Sequence, residues 1–463
     1  MRVNLGVKIV LLIFWIITGC TPELVITPDQ STGTPTPGIV LTDTPVPSTT
    51  PTIAVSTLDI TAEDLADTAL EFWHPWGFEN ESALLTLTEQ FNAENPWEIS
   101  ITALGRGNDL SWRIREGIPS NVLPNLTVGD SSQIRDWERR GDRIVDINLY
   151  LDDPIWGFSP EEGADFYTAF WNDDLADSKR IGLPAYRSAM ILFYNQSWAK
   201  ELGFSSPPTT PAEFREQVCA PIGVSSDHAA GWLASLDSTT ALSWLYAFGG
   251  SIVMDGGYNL AAPQGEDTFV FLEDLFSNGC AWRPDPLDIY QEFAARQGLF
   301  LSSSLAGLGA QAAAFQEAGN TDNWVVIPFP SVDGQPVLTT YGLSYVIFQG
   351  TPAEQLASWL FIRWMNQPQQ QAVWLTTTSS LSTRGSTMEL MDNFILDLPQ
   401  WGQAQDLILY SHSEPTLSSW FVARWAFQDA FNQLLGPNFS PEQIPDLLHE
   451  LDALLDDIHA QNL

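Results

Sequence analysis

The chain has 463 residues, with 57 Asp and Glu against 19 Lys and Arg and a formal net charge of −38. That balance repels nucleic-acid phosphates and anionic lipid alike, which excludes nucleic-acid binding and electrostatic docking on a membrane. An apolar fraction of 44 % with 19 Trp supports sizeable cores. The roughly 400 residues beyond the N-terminal region suggest two lobes or domains.

In chain order, Arg2 and Lys8 give a basic start and Ile9 to Ile17 runs without charge. A run of about nine residues is too short to span a bilayer, which takes about 20, and fits the apolar region of a secretory signal. Ile17-Thr18-Gly19-Cys20 resembles a bacterial lipobox. It predicts a lipoprotein signal peptide over residues 1–19 and an acyl anchor, such as palmitate, on Cys20. A plain signal peptide and a short anchor helix are the alternatives. Residues 20–68 read as a disordered Thr/Pro-rich tether, as in Thr34-Pro35-Thr36-Pro37 and Val46-Pro47-Ser48-Thr49-Thr50-Pro51. Such a segment buries too little apolar surface to offset its ordering entropy.

Beyond it, short apolar runs of strand length alternate with helix starts. Leu70–Trp73, Leu126–Val128, Met190–Tyr194, Trp324–Ile327 and Tyr345–Phe348 read as strands. Ser159-Pro160-Glu161-Glu162, Thr210-Pro211-Ala212-Glu213, Thr351-Pro352-Ala353-Glu354 and Ser440-Pro441-Glu442-Gln443 share one helix-start grammar. Each offers a hydroxyl N-cap, proline at the first helical position, and Glu or Gln three residues after the cap. The alternation predicts α/β layers with mainly parallel strands, whose ligands gather beyond the strands' carboxyl ends. With Cys20 assigned to lipid, Cys219 and Cys280 form a candidate disulfide, worth about 4 kcal/mol across such a loop. Two unpaired buried thiols are the alternative.

Catalytic signatures are missing: no His-Glu-x-x-His, Cys-x-x-Cys, Gly-x-Ser-x-Gly or phosphate-binding glycine loop occurs. Histidines 74, 228, 412, 449 and 459 lack metal-ligand spacing, so neither metal nor cofactor is expected. Acid pairs such as Asp152-Asp153, Glu161-Glu162 and Asp173-Asp174 single out no catalytic couple. Tryptophan is the positive signal, because aromatic faces suit the apolar faces of sugar rings, although most tryptophans serve a core.

The order of segments resembles the extracellular solute-binding proteins of ABC importers, in the carbohydrate-binding family that includes maltose-binding protein. Glu71-Phe72-Trp73-His74-Pro75-Trp76-Gly77 looks like the family's first strand and site loop. Pro124-Asn125-Leu126-Thr127-Val128-Gly129-Asp130 looks like the next site strand. Gly182-Leu183-Pro184-Ala185-Tyr186-Arg187-Ser188, running into Leu192-Phe193-Tyr194-Asn195, resembles the first crossing between lobes. The resemblance implies a two-lobed periplasmic-binding-protein-like α/β fold with the ligand between lobes. One lobe would take 69–185 and 341–386, the other 187–339 and 387–463. It also implies hinge closure on a sugar or polyol, and delivery to the transmembrane subunits of an ABC permease on the outer face of a bacterial membrane.

By the same resemblance the ligand residues are His74, Trp76, Asp130, Arg187, Trp244, Ser303, Tyr341, Arg384 and Trp420, with Trp425 as the alternative to Trp420. Asp130 also reads as a helix cap, and Trp244 as a core residue. If Arg187 and Arg384 both face the ligand, a phosphorylated polyol becomes plausible. A lipid-anchored glycoside hydrolase and the binding subunit of a membrane sensor are the rival functions.

Overall fold

The computed structural model describes residues 55–222, 230–436 and 439–461. The expected signal peptide, Cys20 and the part of the expected tether before residue 55 lie outside them, as does His228; the remainder, 55–68, is not a loose tether, because Leu65 is fully buried in an apolar cluster with Leu58 and Ile60 against it. The described residues form one compact unit.

All four helix starts adopt the expected geometry. Ser159, Thr210, Thr351 and Ser440 each accept from the backbone N–H three residues on, and the Glu or Gln there accepts from the cap's own N–H. Two orphan donors are thereby satisfied at each start.

Ten strands join one mixed sheet. Its order is Ala281–Trp282, Ala230–Leu233, Gly298–Ser304, Leu183–Asn195, Leu338–Ile347, Leu126–Gly129, Ala69–His74, Ser100–Gly105. Trp324–Ile327 adds to Leu183–Asn195, and Ser411–Ser413 to Leu338–Ile347. Both flanks are parallel, as the alternating pattern predicts. The centre is antiparallel, because Leu183–Asn195 and Leu338–Ile347 run in opposite directions through both halves.

These two long strands pair with both halves of the sheet, at the positions where the family resemblance expects crossings between lobes. Tyr186 to Met190 face Leu343 to Thr339, whereas Met190 to Tyr194 pair with Ser304 to Phe300. At its far end Leu338–Ile347 pairs with Leu126–Gly129. The register shifts between Leu343 and Ser344. Gly342 lies where the crossings come closest: a Cβ there would meet the Tyr186 carbonyl oxygen at 2.3 Å. A third connection returns alongside, with Leu381 N–H donating to Arg187 O at 2.7 Å.

Strand alternation divides the core. Met190, Leu192 and Tyr194 point into one apolar cluster with Trp232, Trp244, Phe300, Trp420 and Phe427. Ala189, Ile191 and Phe193 point into another, with Leu301, Trp324, Leu381 and Trp401. A separate cluster around Leu70, Phe72, Phe91, Trp137, Leu183, Tyr345 and Trp359 forms the first lobe's core. Trp137, Trp232, Trp244, Trp359, Trp401 and Trp420 are all fully buried, so much of the tryptophan surplus is core volume. Cys219 and Cys280 are bonded, tying the helix Pro211–Cys219 to the edge of the sheet. No helix among the described residues is long and apolar enough to cross a membrane.

Candidate functional site

A cavity of about 560 Å³ opens where the crossing strands pass between lobes. Its wall is assembled from element ends. Asp130 and Gln133 stand at the start of the helix Ser131–Arg139, directly after the strand Leu126–Gly129. Asp237, Ser238 and Thr239 open the helix Ser238–Ala247, and Ser302 to Ser304 end the strand Gly298–Ser304. Tyr186 and Tyr341 come from the crossings, and Arg424, Trp425 and Gln428 from the helix Trp420–Gln433. This is the region beyond strand carboxyl ends where α/β sheets collect ligands.

Hydrogen-bonding groups cover the wall. Asp130 caps its helix, with Oδ1 accepting from Gln133 N–H at 2.9 Å and from the Ser132 hydroxyl at 2.6 Å. Its Oδ2 faces Arg424 Nη1 at 3.4 Å, an ion pair that reaches across the cavity. Glu414 accepts from the Thr239 hydroxyl at 2.7 Å and from the Trp420 indole N–H at 3.4 Å. Burial pushes its carboxyl above the ordinary range. Burial likewise raises the phenols of Tyr186 and Tyr341, which keeps both as hydroxyl donors.

The apolar component is aromatic. Trp425 lines the cavity and is 56 % exposed, with the Arg424 guanidinium 5.5 Å from its ring centroid. A second chamber of about 450 Å³ shares Gln133, Leu343, Arg424 and Trp425 with the first and adds Pro75, Trp112 and Phe421.

The nine sequence candidates fall into three groups. Asp130, Ser303 and Tyr341 line the cavity. Arg187 and Trp420 border a small recess behind it. Arg187 is 2 % exposed and committed to Asp173 and Asp174 at 3.4 Å each and to Ser344 Oγ at 3.1 Å. Trp420, 1 % exposed, offers Glu414 its N–H rather than a face to the cavity. His74, Trp76, Trp244 and Arg384 line none of the cleft cavity. His74 stacks on Trp76 at 5.8 Å, and Trp76 meets Trp374 edge-on at 4.8 Å, so the first strand's end is absorbed by the lobe core. Trp244 packs among Phe214, Phe271 and Phe329. Arg384 binds Asp165 at 2.7 Å and the Asn366 carbonyl at 2.7 Å. With Arg187 and Arg384 both held by carboxylates away from the cavity, the argument for a phosphorylated polyol loses its basis.

Sequence reasoning did not mark Gln133, Asp237, Tyr290, Glu414, Arg424 or Gln428 as ligand residues. Asp237 carried a findable signal, since Asp before Ser-Thr-Thr-Ala reads as a helix cap after a strand. Glu414, between the three-residue strand Ser411–Ser413 and Pro415, carried none.

The sequence and fold match a known class. The sequence model of the bacterial extracellular solute-binding protein family matches residues 86–393, and the chain belongs to that family. Its members bind solutes and are not enzymes, and the wall described above likewise builds a binding cleft. Among solved structures, the sugar-binding protein MalE of Xanthomonas citri superposes with a TM-score of 0.72 at 21 % identity, over 85 % of this chain and 98 % of that one. The cyclic α-maltosyl-1,6-maltose binding protein of Arthrobacter globiformis gives 0.70 at 19 %, over 84 % and 99 %. UgpB of Mycobacterium tuberculosis, solved with glycerophosphocholine, gives 0.70 at 16 %, over 85 % and 98 %. At these identities the likeness defines the two-lobed fold. No curated protein sequence matches the chain significantly.

Proposed function

We propose that this protein captures a carbohydrate or related polyol outside the cytoplasm and hands it to an ABC permease. The carrying observation is the cavity at the crossings, where hydroxyl, amide and carboxylate groups stand with the partly exposed ring of Trp425. Polar edges and an aromatic plane are what a sugar ring requires: directed bonds to its hydroxyls and an apolar surface for its C–H face. Sugar binding by several structural neighbours, MalE of Xanthomonas citri among them, supports the same class.

In this reading the lobes comprise 69–185 with 341–386, and 187–339 with 387–463. They close about the crossing strands, and the closed state is what the permease recognises. An acyl chain on Cys20 and the Thr/Pro-rich segment hold the lobes near the permease at high effective concentration. Thermal-shift screening against sugars and polyols, with product analysis of the same mixtures, is the direct test. A ligand at about 100 times its Kd stabilises by about 2.7 kcal/mol. Stabilisation with unchanged ligand supports capture, whereas turnover of a glycoside would overthrow it.

A further inference from the structure

Four side chains set the charge of the cavity wall: Asp130, Asp237, Glu414 and Arg424. Arg424 is committed to Asp130 at 3.4 Å. Asp237 accepts from Thr240 N–H at 2.8 Å, from the Thr240 hydroxyl at 3.4 Å and from the Ser235 hydroxyl. Among the described residues, Glu414 accepts from the Thr239 hydroxyl and the Trp420 indole. Neither Asp237 nor Glu414 has an ion-pair partner among the described residues; the nearby arginines bind Asp130, Asp173 and Asp174. The adjoining recess adds Asp173 and Arg187, one charge of each sign, and corrects nothing. Arg424 also draws on Glu414 electrostatically, but three carboxylates against one guanidinium leave the wall net negative. Tyr186, Tyr290, Tyr341 and Trp425 stand beside them, and such rings attract cations through their faces.

A carboxylate drawn out of water without a cation is held at a cost. Sugar hydroxyls supply Glu414 and Asp237 with hydrogen bonds but leave that charge in place. A ligand ammonium supplies both bonds and charge, whereas a ligand phosphate or carboxylate adds repulsion. Resting on the saccharide reading of this cleft, we infer that the preferred ligand is a saccharide bearing a free, protonated amine, with Glu414 and Asp237 as its acceptors. The wall discriminates against acidic and phosphorylated sugars.

Isothermal titration of the purified protein with glucosamine oligosaccharides, their N-acetylated counterparts and glucose oligosaccharides of the same linkage tests this. Acetylation keeps the skeleton and removes the charge. The amine form should bind about tenfold more tightly than the acetylated form at low salt, and the ratio should shrink as salt rises. Glu414→Gln should reduce the ratio, with circular dichroism confirming its fold. If that variant does not fold, the salt dependence of the unaltered protein decides. Equal or tighter binding of the acetylated or neutral sugar overturns the amine inference and leaves the carbohydrate reading standing. Binding of no saccharide overturns both.

Discussion

Trp425 and Trp244 show how the same residue type serves two ends. Trp425 keeps half its surface open beside the cavity, whereas Trp244 is fully enclosed by aromatic neighbours. Trp425→Ala should therefore weaken saccharide binding about fivefold, by loss of an aromatic face worth about 1 kcal/mol, with the urea midpoint nearly unchanged. Trp244→Ala should cost about 3–5 kcal/mol of stability in urea denaturation. Equal stability losses for the two would contradict their assignments. His74 makes a second residue-scale prediction. Burial lowers its pKa from the ordinary 6.5, and Arg106 lowers it further against the upward pull of Glu81. The unfolded chain then binds a proton that the folded chain refuses, so this contribution is present above pH 6.5 and declines as pH falls toward the lower folded value. Between about pH 7 and 5, the unaltered protein should lose more stability than His74→Gln; equal losses would remove His74 from the acid response.

At the scale of elements, hydrogen bonds fix where helices start and where the chain meets the first lobe. Thr351→Ala removes the hydroxyl of a capping box and should cost about 1 kcal/mol, read as a shift in the urea midpoint. Asp153 secures the opposite kind of element, an irregular segment. Its Oδ2 accepts from Ser56 Oγ at 2.8 Å and Thr57 N–H at 2.7 Å, while Oδ1 takes Ile155 and Trp156 N–H at 2.9 Å each. Against the upward push of burial, those bonds hold its pKa down at about 2. Its contribution is complete above the ordinary carboxylate pKa of 3.8 and is lost as pH falls toward 2. Asp153→Ala should release residues 55–58, visible as faster amide exchange there; unchanged exchange would refute the clasp. The crossing strands are secured differently, by Arg187 between Asp173, Asp174 and Ser344 at the register shift.

At the scale of the molecule, the ion pair between Asp130 and Arg424 joins the two sides of the cleft. If closure about the crossings carries the proposed function, saturating ligand should lower the radius of gyration in small-angle scattering. Arg424→Ala should weaken that compaction, and an unchanged radius with bound ligand would argue against hinge closure. The Cys219–Cys280 bridge belongs to this scale too, because it joins segments 61 residues apart. Cys20 carries the proposed address: labelled palmitate should enter the chain in cells and be lost in Cys20→Ala.

Local instructions were legible in the chain itself. Hydroxyl-Pro-x-Glu starts, alternating apolar runs and the paired cysteines act within a few residues or through simple chemistry, and each appears as expected. The chain order of these elements was enough to indicate two α/β lobes and a cleft between them. The cleft's chemistry was legible only in part, because a candidate's neighbours in space decide its role. Tyr341 and Trp425 remain open to the cavity, whereas Trp244, Arg187 and Arg384 are claimed by distant partners such as Phe329, Asp174 and Asp165. The charge of the wall follows the same rule: which carboxylates lack a cation depends on which arginine the fold brings within reach. Sequence by itself thus determined the elements and their order, since those are set by local energetics. Only the tertiary structure decided that Arg424 pairs with Asp130 and leaves Glu414 and Asp237 without an ion pair among the described residues, since pairing between segments far apart in the chain is settled by packing.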